Sequence, residues 1–579
     1  MPNAVELKNV SYSYPNSRQA SLNNVNFSVA KGSFVAVMGP NGAGKTTLSL
    51  CLNGLIPQLL EGELAGDVTV DNKNLRMCRV QEMAGHVGLV LDDPEAQIFG
   101  RTVIEDTSFG PANLSLPVEE IYQRAGQALQ MTRLNGYEQR STHRLSGGEK
   151  QRMAIAGILA MHPEIMVLDE PASALDPLGI REIYQTIDDL RLQKQLTIIV
   201  AEHDCQEIIG RADRVIVLKG GEIAWSGVPE ELFRNVSLLQ TFGIRPIPVS
   251  LIGWEFYQKG WIAFAEIPLG VIAAEKTVRD IMTKYNLRPV GKADPPVVRQ
   301  PETKARALIQ VSNLNYQYLP DNNVLKNINL TIRRGEFVAL IGPNGSGKTT
   351  LAKHFNGLLQ PSAGDVIING VNSREFPQLA RVVGYVFQNP DHQIFSATVE
   401  KELEYGLKNI GLDSAEIRRR VDRVIKFTGL EQRRKDHPFA LGRGERQIIA
   451  LASILALEPE ILVVDEPTTG LDWAGVQKIM ELIRHLHDHG TTIIMISHDM
   501  EIVARYAQRI IMMKDGSILL DGSTGEAFSN LEALEQASLV PPQIARLAAR
   551  LRDLGFTADL LQEREFLQAM GRPVEVLPC

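Results

Sequence analysis

The chain has 579 residues, with 44% hydrophobic and 22% charged, enough for about three to five domain-sized units. Such a composition belongs to soluble globular proteins with ample cores and excludes disordered, collagen-like and disulfide-scaffold classes. The formal net charge of −8 does not favour direct contact with nucleic acid, which calls for a basic face.

Cys51, Cys78, Cys205 and Cys579 form no C-x-x-C pair, so the pattern points to a reducing cytoplasm rather than a metal or disulfide framework. The start, MPNAVELKNV, has no charged segment followed by an apolar stretch, and no signal peptide is expected. The most apolar long window, 251–274, is broken by Glu255, Gln258, Lys259, Glu266 and Pro268. It cannot cross a bilayer as about 20 apolar residues, so any membrane role is expected through partners.

In chain order, FVAVM (34–38) reads as a buried strand. It runs into a loop with Gly39, Asn41, Gly42, Gly44, Lys45, Thr46 and Thr47, which fits G-x-x-x-x-G-K-[ST] and opens a helix. Glycines let backbone N–H groups wrap phosphates, and the helix N-terminus adds partial positive charge. Lys45 would reach the β- and γ-phosphates, and the Thr46 hydroxyl would ligate magnesium. The stretch EEIYQRAGQALQ (119–130) has the period of an amphipathic helix. IMVLD (165–169) is a second buried strand, and it ends in Asp169-Glu170. The aspartate suits a magnesium held through water; the glutamate suits a general base polarising attacking water. An acidic pair capping the next helix is the plain alternative. LTIIV (196–200) is a third strand, followed by His203.

Residues 236–305 form a joint. Its last part, GKADPPVVRQPETKA (291–305), reads as a linker; the part before it is expected to pack as a small domain or hairpin. A second phosphate loop follows an apolar strand, with Gly342, Asn344, Gly345, Gly347, Lys348, Thr349 and Thr350. ILVVD (461–465) ends in Asp465-Glu466, and His498 follows a further apolar run. The tail after 530 is expected to be helical, with Ile544, Leu547, Leu551 and Leu554 at helical spacing.

These elements occur twice. Lys45 and Lys348 are 303 positions apart, Asp169 and Asp465 are 296 apart, and His203 and His498 are 295 apart. The drop reflects a longer first copy around IPQLLEGELAGDV. The period far exceeds that of solenoid repeats, so a domain has been duplicated. A glycine-rich structural turn would not recur in the same strand-to-helix context.

Between phosphate loop and Asp-Glu strand lies LSGGEKQRMAIA (145–156), followed by SALD (173–176) and, in the second copy, TGLD (469–472). This resembles the signature and D-loop of ATP-binding cassette (ABC) ATPases. The resemblance implies an α/β fold of two tandem P-loop ABC nucleotide-binding domains. Each would have a RecA-like core, an antiparallel β part and a helical subdomain. The expected limits are 1–235 and 306–530, with the joint at 236–305 and a C-terminal helical extension at 531–579. The implied cofactors are ATP and Mg2+. Head-to-tail docking is the family pattern, so Ser146, Gly147 and Gly148 would serve the phosphates held by the other copy. His203 and His498 match the switch histidine at the γ-phosphate. Tyr14 and Tyr318 match the aromatic that stacks on adenine, though an ordinary strand tyrosine is the alternative at each place.

A narrower resemblance rests on LVLDDPEAQIFG (89–100) and YVFQNPDHQIFS (385–396). These phrases are similar to the ATPases of energy-coupling factor (ECF) transporters. The resemblance implies a peripheral subunit at the cytoplasmic face of the cell membrane. It would drive a transmembrane T-component and a substrate-binding S-component for vitamins or metal ions. Rival readings are a soluble tandem ABC ATPase acting on the ribosome or nucleic acid, and the fused ATPase of another importer. The joint lacks the long, strongly charged helix expected of a ribosome-acting type, and coiled-coil or zinc-cysteine insertions expected of a DNA-repair type are missing.

The two copies differ. Gln388 matches the Q-loop glutamine, which ligates magnesium; Asp92 stands at its counterpart. The second signature reads LGRGE, with Gly442 and Arg443 where the first has Ser146 and Gly147. With head-to-tail pairing, all departures fall on the site of Lys45, Asp169, Glu170 and His203. The site of Lys348, Gln388, Asp465, Glu466 and His498 would be intact. Neutral drift is the alternative, with Arg443 pointing to solvent or supplying charge to phosphate.

Overall fold

A computed structural model describes residues 2–15, 17, 19–173, 175–289, 306–319, 323–375 and 379–571. The chain divides into two compact units, Met1–Ser250 and Leu251–Cys579.

In the first unit, Phe34–Met38, Ile165–Asp169 and Thr197–Ala201 are buried at every residue. Such continuous apolar runs suit a parallel sheet covered on both faces. They lie in a six-stranded sheet ordered 222–227, 214–219, 34–38, 197–201, 165–169 and 87–90. All neighbours are parallel except the first pair. Asn3–Ser13 instead varies between buried and exposed residues and belongs to a four-stranded antiparallel sheet with one wet face. A helical part follows: Val103–Asn113, Val118–Met131 and Gly147–Leu159. Thr102 caps the first of these, and Glu105 reaches back to the Thr102 N–H at 3.2 Å, so two end groups are satisfied together.

The second unit repeats this plan. Its six-stranded sheet runs 383–386, 461–465, 492–496, 337–341, 509–514 and 517–523, beside an antiparallel sheet of four. Its helical part is Val399–Asn409, Ser414–Thr428 and Arg443–Leu455.

The joint is shared between the units. Residues up to Ser250 belong to the first, and those from Leu251 to the second. In the second unit the joint helix Val271–Lys284 packs on the tail helix Gln543–Arg550. Val278, Ile281, Ile544, Leu547 and Leu551 are buried. Arg279 donates to both carboxylate oxygens of Asp553, at 2.7 and 2.9 Å, and to the Arg550 carbonyl at 2.9 Å. Arg550 in turn donates to Glu275 at 2.5 Å. The linker reading over 291–305 lies outside the described residues. Among the described residues, no helix is long and apolar enough to cross a membrane.

Because Leu547 is fully buried, Leu547→Ala is expected to lower the stability of the second unit by about 2–5 kcal/mol. Urea unfolding followed by tryptophan fluorescence measures this. A loss below about 0.5 kcal/mol, typical of surface positions, would show that the tail does not pack there.

Candidate active sites

The strand order sets 34–38 beside 197–201, and 197–201 beside 165–169. The loops leaving their carboxyl ends therefore converge, which is where open α/β sheets place ligands.

The phosphate loop leaves the first of these strands. Gly39 has φ 141°, and a Cβ there would lie 2.1 Å from the Leu218 carbonyl oxygen. At Gly342 the matching distance, to Met513, is 2.2 Å. Only glycine lets the loop lie this close to the neighbouring strand. Gly44 and Gly347 are also left-handed, at φ 103° and 98°, and directly precede the helices Lys45–Leu52 and Lys348–Phe355. Both lysines are buried and fold over their loops. Lys45 Nζ donates to the Gly39 and Pro40 carbonyls at 3.0 and 3.3 Å. Lys348 Nζ donates to those of Gly342 and Pro343, both at 2.8 Å.

Glu170 and Glu466 turn the chain at the end of their strands with φ of 47° and 46°. Positive φ strains a non-glycine residue, and such strain clusters at functional sites. Each glutamate N–H donates to a strand carbonyl, Ala201 or Ile496, at 3.0 Å. The side chains are thereby aimed beside the loop lysine; Lys45 Nζ is 4.0 Å from Glu170.

Around this shared backbone the polar partners differ. In the second unit Asp465 accepts from Thr349 at 2.9 Å and from Tyr385 at 2.8 Å. Glu466 accepts from the Gln388 amide at 2.8 Å and from Thr469 at 3.1 Å. His498 Nε2 lies 3.0 Å from the other Glu466 oxygen. Burial pushes the Glu466 carboxyl up, but His498, Thr469 and Lys348 outweigh it and leave the pKa lowered. In the first unit His203 Nε2 lies 2.7 Å from Glu170. Burial pushes Asp169 up to about 6; the charges of Glu170 and Asp92 add to this, against the Thr46 hydrogen bond and Lys45. Asp92 thus brings repulsion where Gln388 brings a donor. Leu89 occupies the strand position of Tyr385.

The donors facing each phosphate loop are hydroxyl and carboxylate oxygens, joined at Gln388 by an amide. An all-oxygen set of this kind fits a hard cation such as magnesium. Gln388 gives its amide nitrogen to Glu466, which leaves its carbonyl oxygen for a cation.

Tyr14 and Tyr318 stand over the helix starts, their hydroxyls 3.3 Å from those of Thr47 and Thr350. Tyr12 and Tyr316 brace them edge-on at 4.9 and 5.0 Å. Ser146 caps the helix Gly147–Leu159 and bonds within that cap to Glu149, its hydroxyl accepting at 3.3 Å. Gly442 begins the matching helix with no side chain to cap it. The Arg443 guanidinium folds over Gly470.

The QIF phrases have a clear local logic. Gln97 holds the backbone of Leu89 and Leu91, at 3.1 and 2.8 Å. Gln393 holds Phe387 N–H at 3.2 Å and the Ala450 carbonyl at 2.7 Å. Ile394 is buried. The phenylalanines face outward, Phe99 at 71% and Phe395 at 60% exposure. Asp106 accepts from the N–H groups of Phe99 and Gly100, both at 2.8 Å, and Glu402 does the same for Phe395 and Ser396. Each phenylalanine pairs with a second exposed ring, Phe109 at 5.5 Å and Tyr405 at 4.5 Å.

Sequence reasoning missed Tyr385, Thr469 and a buried pair in the first unit, where Tyr184 donates to Glu202 at 2.5 Å just before His203. Superposing the copies at the repeat offsets exposes all of these: Leu89 faces Tyr385, Ser173 faces Thr469, and Ser497 faces Glu202.

The family model described as ABC transporter matches residues 22–173 and 325–469. A protein of Methanosarcina mazei is 41% identical over 565 residues, 95% of this chain and 94% of its own. One of Caldanaerobacter subterraneus subsp. tengcongensis is 39% identical over 551 residues, 94% of this chain and 96% of its own. Both are named as ABC transporter ATP-binding proteins. Among solved structures, cbiO1 from Clostridium perfringens, part of the ABC transporter complex cbiONQ, is 38% identical. It covers 40% of this chain and 94% of its own, with a TM-score of 0.37. Two matched domains in one chain, each with its phosphate loop, and relatives alike along nearly the whole length place this protein in the ABC transporter family, as a tandem ATP-binding ATPase.

Proposed function

We propose that the chain is the energy-coupling ATPase of an ECF-type importer, peripheral at the cytoplasmic face of the cell membrane. The observation that carries this reading is the exposed aromatic pair beside each QIF phrase, Phe99–Phe109 and Phe395–Tyr405. Exposed apolar groups on a rigid, hydrogen-bonded turn suit a partner surface. Two such pairs at equivalent places suit a transmembrane T-component that touches both halves, with the S-component supplying the substrate, a vitamin or metal ion.

Magnesium, when bound, supplies positive charge to the phosphates; Thr46 and Asp169, or Thr349, Asp465 and Gln388, would hold it. The chain's own groups do the rest. Backbone N–H groups of the glycine loop and the buried lysines bind phosphate oxygens. Tyr14 and Tyr318 offer a face to adenine. In the second half the lowered pKa of Glu466 keeps the carboxylate ionised, so it can take a proton from attacking water. Gln388 and Thr469 hold one of its oxygens, and His498 stands at the other to meet the γ-phosphate. In the first half Glu170 and His203 keep the same arrangement, but Asp92 stands in place of Gln388 and adds negative charge near Asp169. The two halves are therefore unequal, with hydrolysis concentrated on Glu466.

Glu466→Gln keeps the shape but removes the base, so ATPase of the assembled transporter is expected to fall about 10²–10⁴-fold. Glu170→Gln should cost much less. Equal losses in steady-state ATPase would sink the inequality. For the partner, Phe99→Asp combined with Phe395→Asp should release the tagged chain from mild-detergent membrane extracts while ATP binding persists. If the wild-type chain instead brought down ribosomes and no small hydrophobic membrane proteins, the importer reading fails.

A further inference from the structure

The second unit holds a pocket that the phosphate site does not use. Its volume is about 290 Å³. It lies where the joint helix Val271–Lys284 and the tail helix Gln543–Arg550 meet the end of the helix Thr524–Ser529. Val271, Phe528, Leu531, Pro541, Ala545 and Ala549 make its wall mainly apolar.

Of the three arginines that line it, Arg546, Arg550 and Arg552, Arg546 is the least exposed. It is half-buried on the tail helix. Its neighbours are engaged: Arg550 donates to Glu275 and Arg279 to Asp553. Among the described residues, the Arg546 guanidinium makes neither a hydrogen bond nor an ion pair. The acid that acts on it electrostatically, Glu501, accepts the Gln543 N–H at 2.8 Å instead. Burial lowers the Arg546 pKa, as expected for a charge taken from water without a partner. The joint helix also begins here, behind Gly270, with no side-chain cap, so its first turn adds partial positive charge.

We propose that this pocket binds a small amphiphilic monoanion, its carboxylate on Arg546 and its aliphatic or aromatic body against Val271, Phe528 and Ala545. A planar guanidinium matches a carboxylate through two parallel hydrogen bonds, and Arg546 is the one arginine of this pocket that is half-buried, so one negative charge is matched there. Ligand pockets run about 300–1,000 Å³, so this one suits a compact molecule and is too small for a nucleotide. An occupant would touch the joint, the tail and the end of the catalytic half at once, tying the appendage to the domain that carries Glu466. The inference stands independently of the importer reading.

The test is calorimetric titration of the full-length chain with sodium octanoate below its micelle concentration, with octanol and octylamine as controls. Saturable octanoate binding is expected, with both controls at least about tenfold weaker. Arg546→Gln should weaken octanoate at least about tenfold. Ala549→Leu, which keeps the arginine but fills the pocket, should do the same, and circular-dichroism melting identifies which variants are folded. Unsaturable uptake, equal binding of octanol, or retained affinity in Ala549→Leu or in folded Arg546→Gln would overturn the proposal.

Discussion

The structure depends on a steric constraint at two glycines. At Gly39 and Gly342 the loop lies so near the next strand that a side chain would overlap a carbonyl oxygen. This closeness presses the phosphate loop onto the end of the parallel sheet, buries the lysine over it and starts the next helix at the loop's end. In the first unit the same sheet end carries the Asp-Glu pair and His203, because strands 165–169 and 197–201 are neighbours. The fold thus acts through distance: backbone amides, one ammonium and two carboxylates are brought to one sheet end by the backbone itself, with the Lys45 ammonium 4.0 Å from Glu170. Preorganised groups of this kind stabilise developing charge without reorganising.

A shared backbone does not impose shared electrostatics. Both units hold a buried aspartate whose pKa burial raises, and both hold the glutamate in a left-handed conformation. What differs is the supply of donors. Thr46 and Thr349 each donate to their own aspartate, but Tyr385 and Gln388 also point hydrogen at the second pair of carboxylates. In the first unit, leucine replaces the tyrosine and a further carboxylate replaces the amide. Like charges near one site push each other toward protonation, whereas hydrogen bonds to the charged form hold it ionised. A few side chains on an unchanged scaffold therefore divide one duplicated domain into two chemically unequal halves.

Much of this was legible in the sequence because its signals are local. Five-residue apolar runs such as FVAVM and IMVLD became buried parallel strands, and G-x-x-x-x-G-K-T lies in the strand-to-helix context its physics requires. The Gln388–Asp92 difference was equally plain from the repeat. Tyr385 was not, because in an apolar strand a tyrosine reads as ordinary β-propensity; its hydroxyl matters only once strand 461–465 is known to lie beside it. Arg279 pairs with Asp553, 274 positions away, so the sharing of the joint between the units had no local signature. Tail residues Ile544, Leu547 and Leu551 showed their spacing but not the surface they cover.

Arg443 bears on whether the altered signature is mere drift. A long side chain at this position needs room, and the structure supplies it at Gly470, where a Cβ would sit 2.7 Å from the guanidinium carbon. The matching positions of the first copy carry Gly147 and Ala174. In each copy one of the two positions is glycine, but not the same one. Gly470 has φ 71°, so a side chain there would be strained as well as crowded. An arginine drifting freely would turn to solvent, where its charge is best hydrated and its rotamers are free. Folding back over the D-loop costs that freedom and places the guanidinium beside the turn that follows Glu466. The exchange of Gly-Ala for Arg-Gly thus sets the long side chain of the second half against its own turn at Gly470.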